Sequence, residues 1–117
     1  MDALRRLDVW KRACRFSADV YKDTVGCPDR GYRDQVTRSA LSIASNIAEG
    51  YERETARERI RFLMIAKGSC GECWTQLLIG IEAGLLPPGP GHRLANEVAE
   101  LAKMLRGLAR HFEGHES

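Results

Sequence analysis

Apolar side chains return along this chain every three or four positions, in four separate runs. From about Leu7 to Thr24 the row is Leu7, Trp10, Cys14, Ser17 and Tyr21, with Val9, Ala13, Phe16 and Val20 widening it on one side. The second run gives Val36, Ala40, Ile43, Ile47 and Gly50, and the third gives Leu63, Ala66, Cys70, Cys73, Leu77, Gly80 and Gly84. The last, from about His92 to Glu113, gives Leu94, Val98, Leu101, Leu105, Leu108 and Phe112. Steps of this size place one side chain per turn on one helix face. No segment alternates with the period of a strand.

Three breaks separate the runs. Gly26 to Gly31 and Gly50 to Thr55 are short. Leu85-Leu86-Pro87-Pro88-Gly89-Pro90-Gly91 is the strongest, and the reading is that it holds no helix, because proline removes donors and glycine raises backbone entropy. Four helices joined by short connections predict an all-α, antiparallel up-and-down four-helix bundle, one domain over 1–117. Thr55 and Glu58 have the spacing of a capping box at the start of the third helix. That helix either runs on to Ala83 or breaks at Gly68, where Ser69 and Glu72 offer a second box. The hydrophobic period crosses Gly68 without a phase shift, which favours the continuous helix.

Beside the core rows run polar ones. The second helix carries Gln35, Ser39, Ser42, Asn46 and Glu49, and the third carries Phe62, Ile65, Ser69, Glu72, Gln76 and Ile79. Half-buried polar groups need partners, at roughly 1–3 kcal/mol for each left unsatisfied. Two readings stand: a solvated boundary face, or a network of Ser42, Asn46, Glu49, Ser69, Glu72 and Gln76 that fixes helix register or a subunit interface. Glu49 with Glu72 as an acid–base pair is the weakest reading, since no His, Lys or pocket signal accompanies them.

Composition narrows the class. The 117 residues are 44% hydrophobic and 29% charged, which is a globular profile. Eighteen Lys/Arg against sixteen Asp/Glu leave a formal charge of +2 and a pI near 8.4, short of a dedicated nucleic-acid binder. No apolar run approaches the ~20 residues of a membrane span, and the opening residues lack a signal-peptide core. The expectation is a cytoplasmic protein whose Cys14, Cys27, Cys70 and Cys73 stay reduced.

Gln35 to Arg53 read QVTRSALSIASNIAEGYER, Phe62 to Glu72 read FLMIAKGSCGE, and Leu7 to Ala13 read LDVWKRA. This set strongly resembles the small bacterial four-helix-bundle proteins named from intervening sequences of 23S ribosomal RNA genes, over nearly the whole chain. The resemblance implies a bundle assembled into a ring, a homopentamer, without known enzymatic activity. It also implies kinship with the accessory variability determinant of diversity-generating retroelements, a basic pentamer that partners a reverse transcriptase and RNA or DNA. Ser42, Asn46, Glu49, Gly50, Arg53, Ser69 and Glu72 are the motif positions carried over. Cys70 and Cys73 depart from the aliphatic or small residues usual there.

Candidate chemistry is sparse. Arg53, Arg57 and Arg61 recur every four residues, and Arg5, Arg6, Lys11, Arg12 and Arg15 crowd the first helix. Repeated around a ring, either stripe makes a phosphate-binding surface. The alternative is a solvated face laced with pairs such as Asp8–Arg12 and Glu58–Arg61. No aromatic residue is read as interleaving these arginines, so base stacking is not expected. Cys70-Gly71-Glu72-Cys73 sits mid-helix rather than at a strand–helix junction, so burial is preferred to redox or zinc chemistry. His111 and His115 share a face near the end of the chain and predict no metal site. The sequence therefore predicts no catalytic residue, metal or cofactor. It predicts a homo-oligomeric interaction module for nucleic acid or a nucleic-acid enzyme, with a protein-binding scaffold as runner-up.

Overall fold

Caps start the two central helices. The Asp29 carboxylate accepts from the Tyr32 N–H at 3.0 Å, and the Thr55 hydroxyl accepts from the Glu58 N–H at 3.2 Å. Only half of the expected capping box forms: the Glu58 carboxylate turns to Arg61, at 3.8 Å. The computed structural model describes residues 1–114. Five helices lie among them: α1 (Asp2–Arg5), α2 (Asp8–Asp23), α3 (Arg30–Tyr51), α4 (Ala56–Glu82) and α5 (Pro88–Glu113). The one-turn α1 was not anticipated from the pattern.

Successive long helices pack side by side, and α2 closes against α5, so the order around the bundle is α2, α3, α4, α5. The α4 contacts with α3 and α5 are the most extensive, and α2 is held more lightly. The bundle is an elongated body of 47 × 22 × 20 Å. Helix α4 passes through Gly68 without interruption; its 27 residues span about 40 Å at ~1.5 Å each.

The prolines produced one correction. Helix α5 begins at Pro88, inside the segment read as non-helical. Pro88 and Pro90 fall in the first turn, where N–H groups have no intrahelical acceptor, so the missing donors cost nothing there. Gly84 is a second correction. It is exposed rather than part of the α4 seam and adopts φ +75°. The Leu85 N–H then reaches the Gly80 carbonyl at 2.8 Å and the Gly84 N–H reaches that of Ile81 at 3.1 Å, a Schellman ending for α4.

The α3 row from Val36 to Gly50 and the α4 row from Leu63 to Gly80 are all buried. In α2 the weighting is reversed: Val9, Ala13, Phe16 and Val20 are fully buried, whereas Leu7, Trp10 and Cys14 are half-buried and Tyr21 is exposed. Both rows satisfy the same period, and only the position of α3 and α5 decides which one faces inward. In α5, Leu94, Val98, Leu101 and Leu105 are buried, with Leu108 and Phe112 half-buried.

Gly107 lies in the interior of α5, exposed, and a Cβ there meets nothing within 4 Å. Gly107→Ala should therefore add about 1 kcal/mol of stability, the helix-propensity difference. Urea unfolding at fixed protein concentration, with an unchanged m-value, checks this.

Candidate interaction surfaces

The polar rows of α3 and α4 separate into two groups. Ser39 is buried and donates to Gln76 Oε1 at 2.6 Å. The Ser42 and Ser69 hydroxyls lie 2.7 Å apart. Tyr32 Oη donates to the Gln76 carbonyl at 2.6 Å. These bonds tie the two helices at one register, since sliding either helix by a residue breaks all of them at once. Asn46, Glu49 and Glu72 do not join them. The Asn46 amide donates to the Ser42 carbonyl on its own helix, 2.8 Å away. Glu49 is exposed and accepts from Arg53 at 2.6 Å. Glu72 faces outward, exposed.

Arg53, Arg57 and Arg61 sit where α3 turns into α4. The Arg53 and Arg61 guanidinium groups lie 4.7 and 5.4 Å from the Phe62 ring centre, within cation–π range. An aromatic ring thus does interleave the arginines, contrary to the sequence reading. The signal was present as Phe62 adjoining Arg61, but it lay in the half-buried α4 row rather than in the basic stripe. Arg59, not singled out from the sequence, donates to the Arg53 carbonyl at 3.0 Å and lies 5.6 Å from the Phe112 ring centre. Arg57 is exposed. Residues 49–61 also hold Glu49, Glu52, Glu54 and Glu58, so four carboxylates balance these four arginines.

The cations of the first helix fall elsewhere. Arg12 pairs in two-pronged fashion with Glu97 of α5, at 2.6 and 3.0 Å, instead of with Asp8. Asp8 is taken by Lys11 at 3.6 Å. Arg5, Arg6 and Arg15 are exposed. Beside them lies the C-terminal half of α5, whose exposed Lys103, Arg106 and Arg110 the periodicity reading passed over. A groove of about 520 Å³ joins the two elements, lined by Arg6, Leu7, Val9, Met104, Leu108 and His111 among others. Residues 1–15 and 103–113 together carry eight Lys/Arg against three Asp/Glu, while the rest of the chain carries ten against thirteen. The fold collects at one end a charge asymmetry hidden in the net +2.

Cys70 and Cys73 are buried on adjacent turns of α4, with free thiols. Burial pushes their pKa values up to about 12 and about 11, opposite to the direction that makes a thiol reactive. Among the described residues no group of three His, Cys, Asp or Glu is placed to hold a metal ion, and no helix is long and apolar enough to cross a membrane. His115 lies outside the described residues. Neither Glu49 nor Glu72 lines the grooves between α2 and α5 or between α2 and α3.

Comparison with known proteins agrees with this architecture. Residues 5–107 match the family described as 23S rRNA-intervening sequence protein, and the chain belongs to it. A solved structure from Bacteroides thetaiotaomicron, described as a protein with unknown function from the S23 ribosomal protein family, superposes with a TM-score of 0.81. It is 23% identical and covers 86% of this chain and 97% of its own, a likeness of fold. The curated proteins give no match.

Proposed function

We propose that this member of the 23S rRNA-intervening sequence protein family is a non-enzymatic, homo-oligomeric bundle that binds the nucleic-acid backbone through its basic end. The observation that carries this reading is the segregation of charge. Cations distant in sequence, Arg5, Arg6, Lys11 and Arg15 with exposed Lys103, Arg106 and Arg110, lie on segments that pack together, with Arg6 lining the groove between them, while the remainder of the chain is net acidic. Phosphate contacts draw on this kind of local field and need no sequence readout. The arginines at the α3–α4 turn are a secondary contribution, because carboxylates and the Phe62 ring already engage Arg53 and Arg61. Oligomerisation multiplies the basic end without changing its chemistry.

Fluorescence anisotropy with a labelled RNA hairpin, and with a DNA hairpin in parallel, tests the proposal. Binding should weaken steeply between about 50 and 200 mM salt. The combined variant Lys11→Ala, Arg15→Ala, Arg106→Ala and Arg110→Ala should lose about 100-fold in affinity and flatten the salt slope by roughly three. Arg53→Ala, Arg57→Ala and Arg61→Ala together should cost less than about threefold. Absence of binding at low salt overturns the nucleic-acid reading and leaves a protein-binding scaffold, with a protein such as a reverse transcriptase as the partner to seek. Larger losses at the α3–α4 turn would place the site there instead.

A further inference from the structure

The groove between the start of α2 and the end of α5 has a floor that phosphate binding leaves unused. Leu7, Met104 and Leu108 line it, half-buried, with the exposed His111 beside them. Gly107 lines it as well. It lies between Met104 and His111 on the same face of α5, and a Cβ there would meet nothing within 4 Å. An exposed glycine inside a helix forfeits helix propensity. It leaves room, in exchange, for a ligand to come close to the backbone.

Cations stand around this floor. Arg6 is on its wall, and an adjoining groove of about 340 Å³ shares Asp8 and Met104 with it and brings in Lys11, Arg12 and Arg15. Two nearby acids are engaged within the chain: Asp8 by Lys11 at 3.6 Å and Glu97 by Arg12 at 2.6 Å. Glu100 is exposed and acts on the Arg12 charge. Adding Glu97 and Glu100 to the three acids of residues 1–15 and 103–113 still leaves eight cations against five. Beyond Arg15 the α2–α5 seam turns acidic, with Asp19 and Asp23 countered by Arg93. A polyanion is therefore favoured from Arg6 to Arg15, about 14 Å at ~1.5 Å per residue, and no further.

We propose that this groove takes an unpaired nucleotide of a single-stranded nucleic acid, with phosphates on Arg6, Lys11 and Arg15 and the base laid on Met104, Gly107 and His111. The inference rests on the nucleic-acid reading above and names the form of nucleic acid that is bound. An apolar floor ringed by cations calls for an occupant that carries flat apolar faces and regular negative charge together, and an unpaired strand does. A duplex keeps its base faces stacked inside and offers only phosphates, sugars and base edges, so the floor stays wet beneath it. A single strand can lay a base face there, against histidine and apolar side chains. The two cases differ in sign. Phosphate attraction alone favours the duplex, whose charge is denser; the floor favours the single strand.

Fluorescence anisotropy on the full chain compares an unstructured RNA of about twelve nucleotides with the same strand annealed to its complement. A DNA pair run alongside separates the two sources of such a strand. The single strand should bind about tenfold more tightly than the duplex. Gly107→Leu fills the space between Met104 and His111. It should move urea unfolding to higher denaturant, yet lower single-strand affinity about tenfold without changing the salt slope, which counts phosphates. His111→Ala should also cost the single strand about tenfold, and His111→Phe should stay within about threefold of wild type. A duplex that binds as tightly as the single strand overturns this inference, and so does a single-strand preference that survives both Gly107→Leu and His111→Ala. Either result leaves backbone binding standing and returns the floor to an apolar protein segment. No binding of either form at low salt overturns both readings.

Discussion

Gly80→Ala should destabilise the bundle by about 3 kcal/mol, although it adds one methyl group to a helix and improves helix propensity. A Cβ at Gly80 would stand 2.1 Å from the Tyr32 hydroxyl and 2.6 Å from its Cζ. The tyrosine ring cannot bend aside, so the whole side chain must swing out of the α3–α4 interface. That breaks the 2.6 Å bond from Tyr32 Oη to the Gln76 carbonyl, a loss of about 0.5–1.5 kcal/mol. Overpacking adds a further ~1–3 kcal/mol. A double-mutant cycle isolates the cause. In a Tyr32→Ala background the same Gly80→Ala change should cost nearly nothing, giving a coupling of about 3 kcal/mol by urea unfolding. An equal cost in both backgrounds would show that the clash lies with something other than Tyr32.

Gly80 also shows where the sequence was legible. The α3 and α4 rows could be assigned to the core because each had one apolar face bordered by Ser, Asn, Gln and Glu, so a phase error would have buried charge. In α2 two apolar rows adjoin, and burial followed Val9, Ala13, Phe16 and Val20 instead of the row through Trp10 and Tyr21. Periodicity sets the helix and its rough face, but a broad face needs its neighbours to fix the angle. The start of α5 was misjudged because proline and glycine content was weighed without position. At the first turn of a helix Pro88 and Pro90 are compatible residues. The partner of Gly80 could not be read at all, since Tyr32 lies 48 positions away and meets it only once α3 and α4 are in register.

The interaction surfaces were less legible for a related reason. A stripe at one spacing on one helix is visible in sequence, as Arg53, Arg57 and Arg61 were. A patch assembled from two helices is not: Arg6 and Arg106 belong to one end of the molecule only because α2 packs on α5. Long-range pairing also redirects charges that local spacing assigns, as when Arg12 leaves Asp8 for Glu97. The polar network was visible as a row but not as a set of bonds. Ser39–Gln76 and Ser42–Ser69 cross the interface, while Asn46 and Glu49 turn to their own helix.

Alkaline solution should destabilise this protein by about 5 kcal/mol between pH 9 and 11. The cause is the pair of buried thiols. Cys70 is buried among core side chains and its pKa rises to about 12, chiefly through desolvation and then through the nearby Cys73. Cys73 rises to about 11, again by desolvation, with the Ser39 hydroxyl bond opposing. The ordinary value is 9.0 for both. The folded chain therefore holds two protons that the unfolded chain releases above pH 9. Each raised pKa contributes stability that is complete below pH 9 and disappears as the pH climbs through the folded value. The loss is about 1.4 kcal/mol per pH unit per thiol. Tyr32, raised by burial to about 12 from 10.0, adds to the fall above pH 10. A loss of this size is comparable with the whole stability of a small domain, so unfolding should occur near pH 11 at little or no denaturant. Urea titrations at pH 8 and pH 11 under reducing conditions measure it. Cys70→Ala with Cys73→Ala should begin less stable at pH 8, because two sulfur atoms leave the core, yet lose about 5 kcal/mol less on the way to pH 11. If the variant and the native sequence fall by the same amount, the thiols are reached by solvent in the folded state and the packing of the α4 seam against α3 is looser than described.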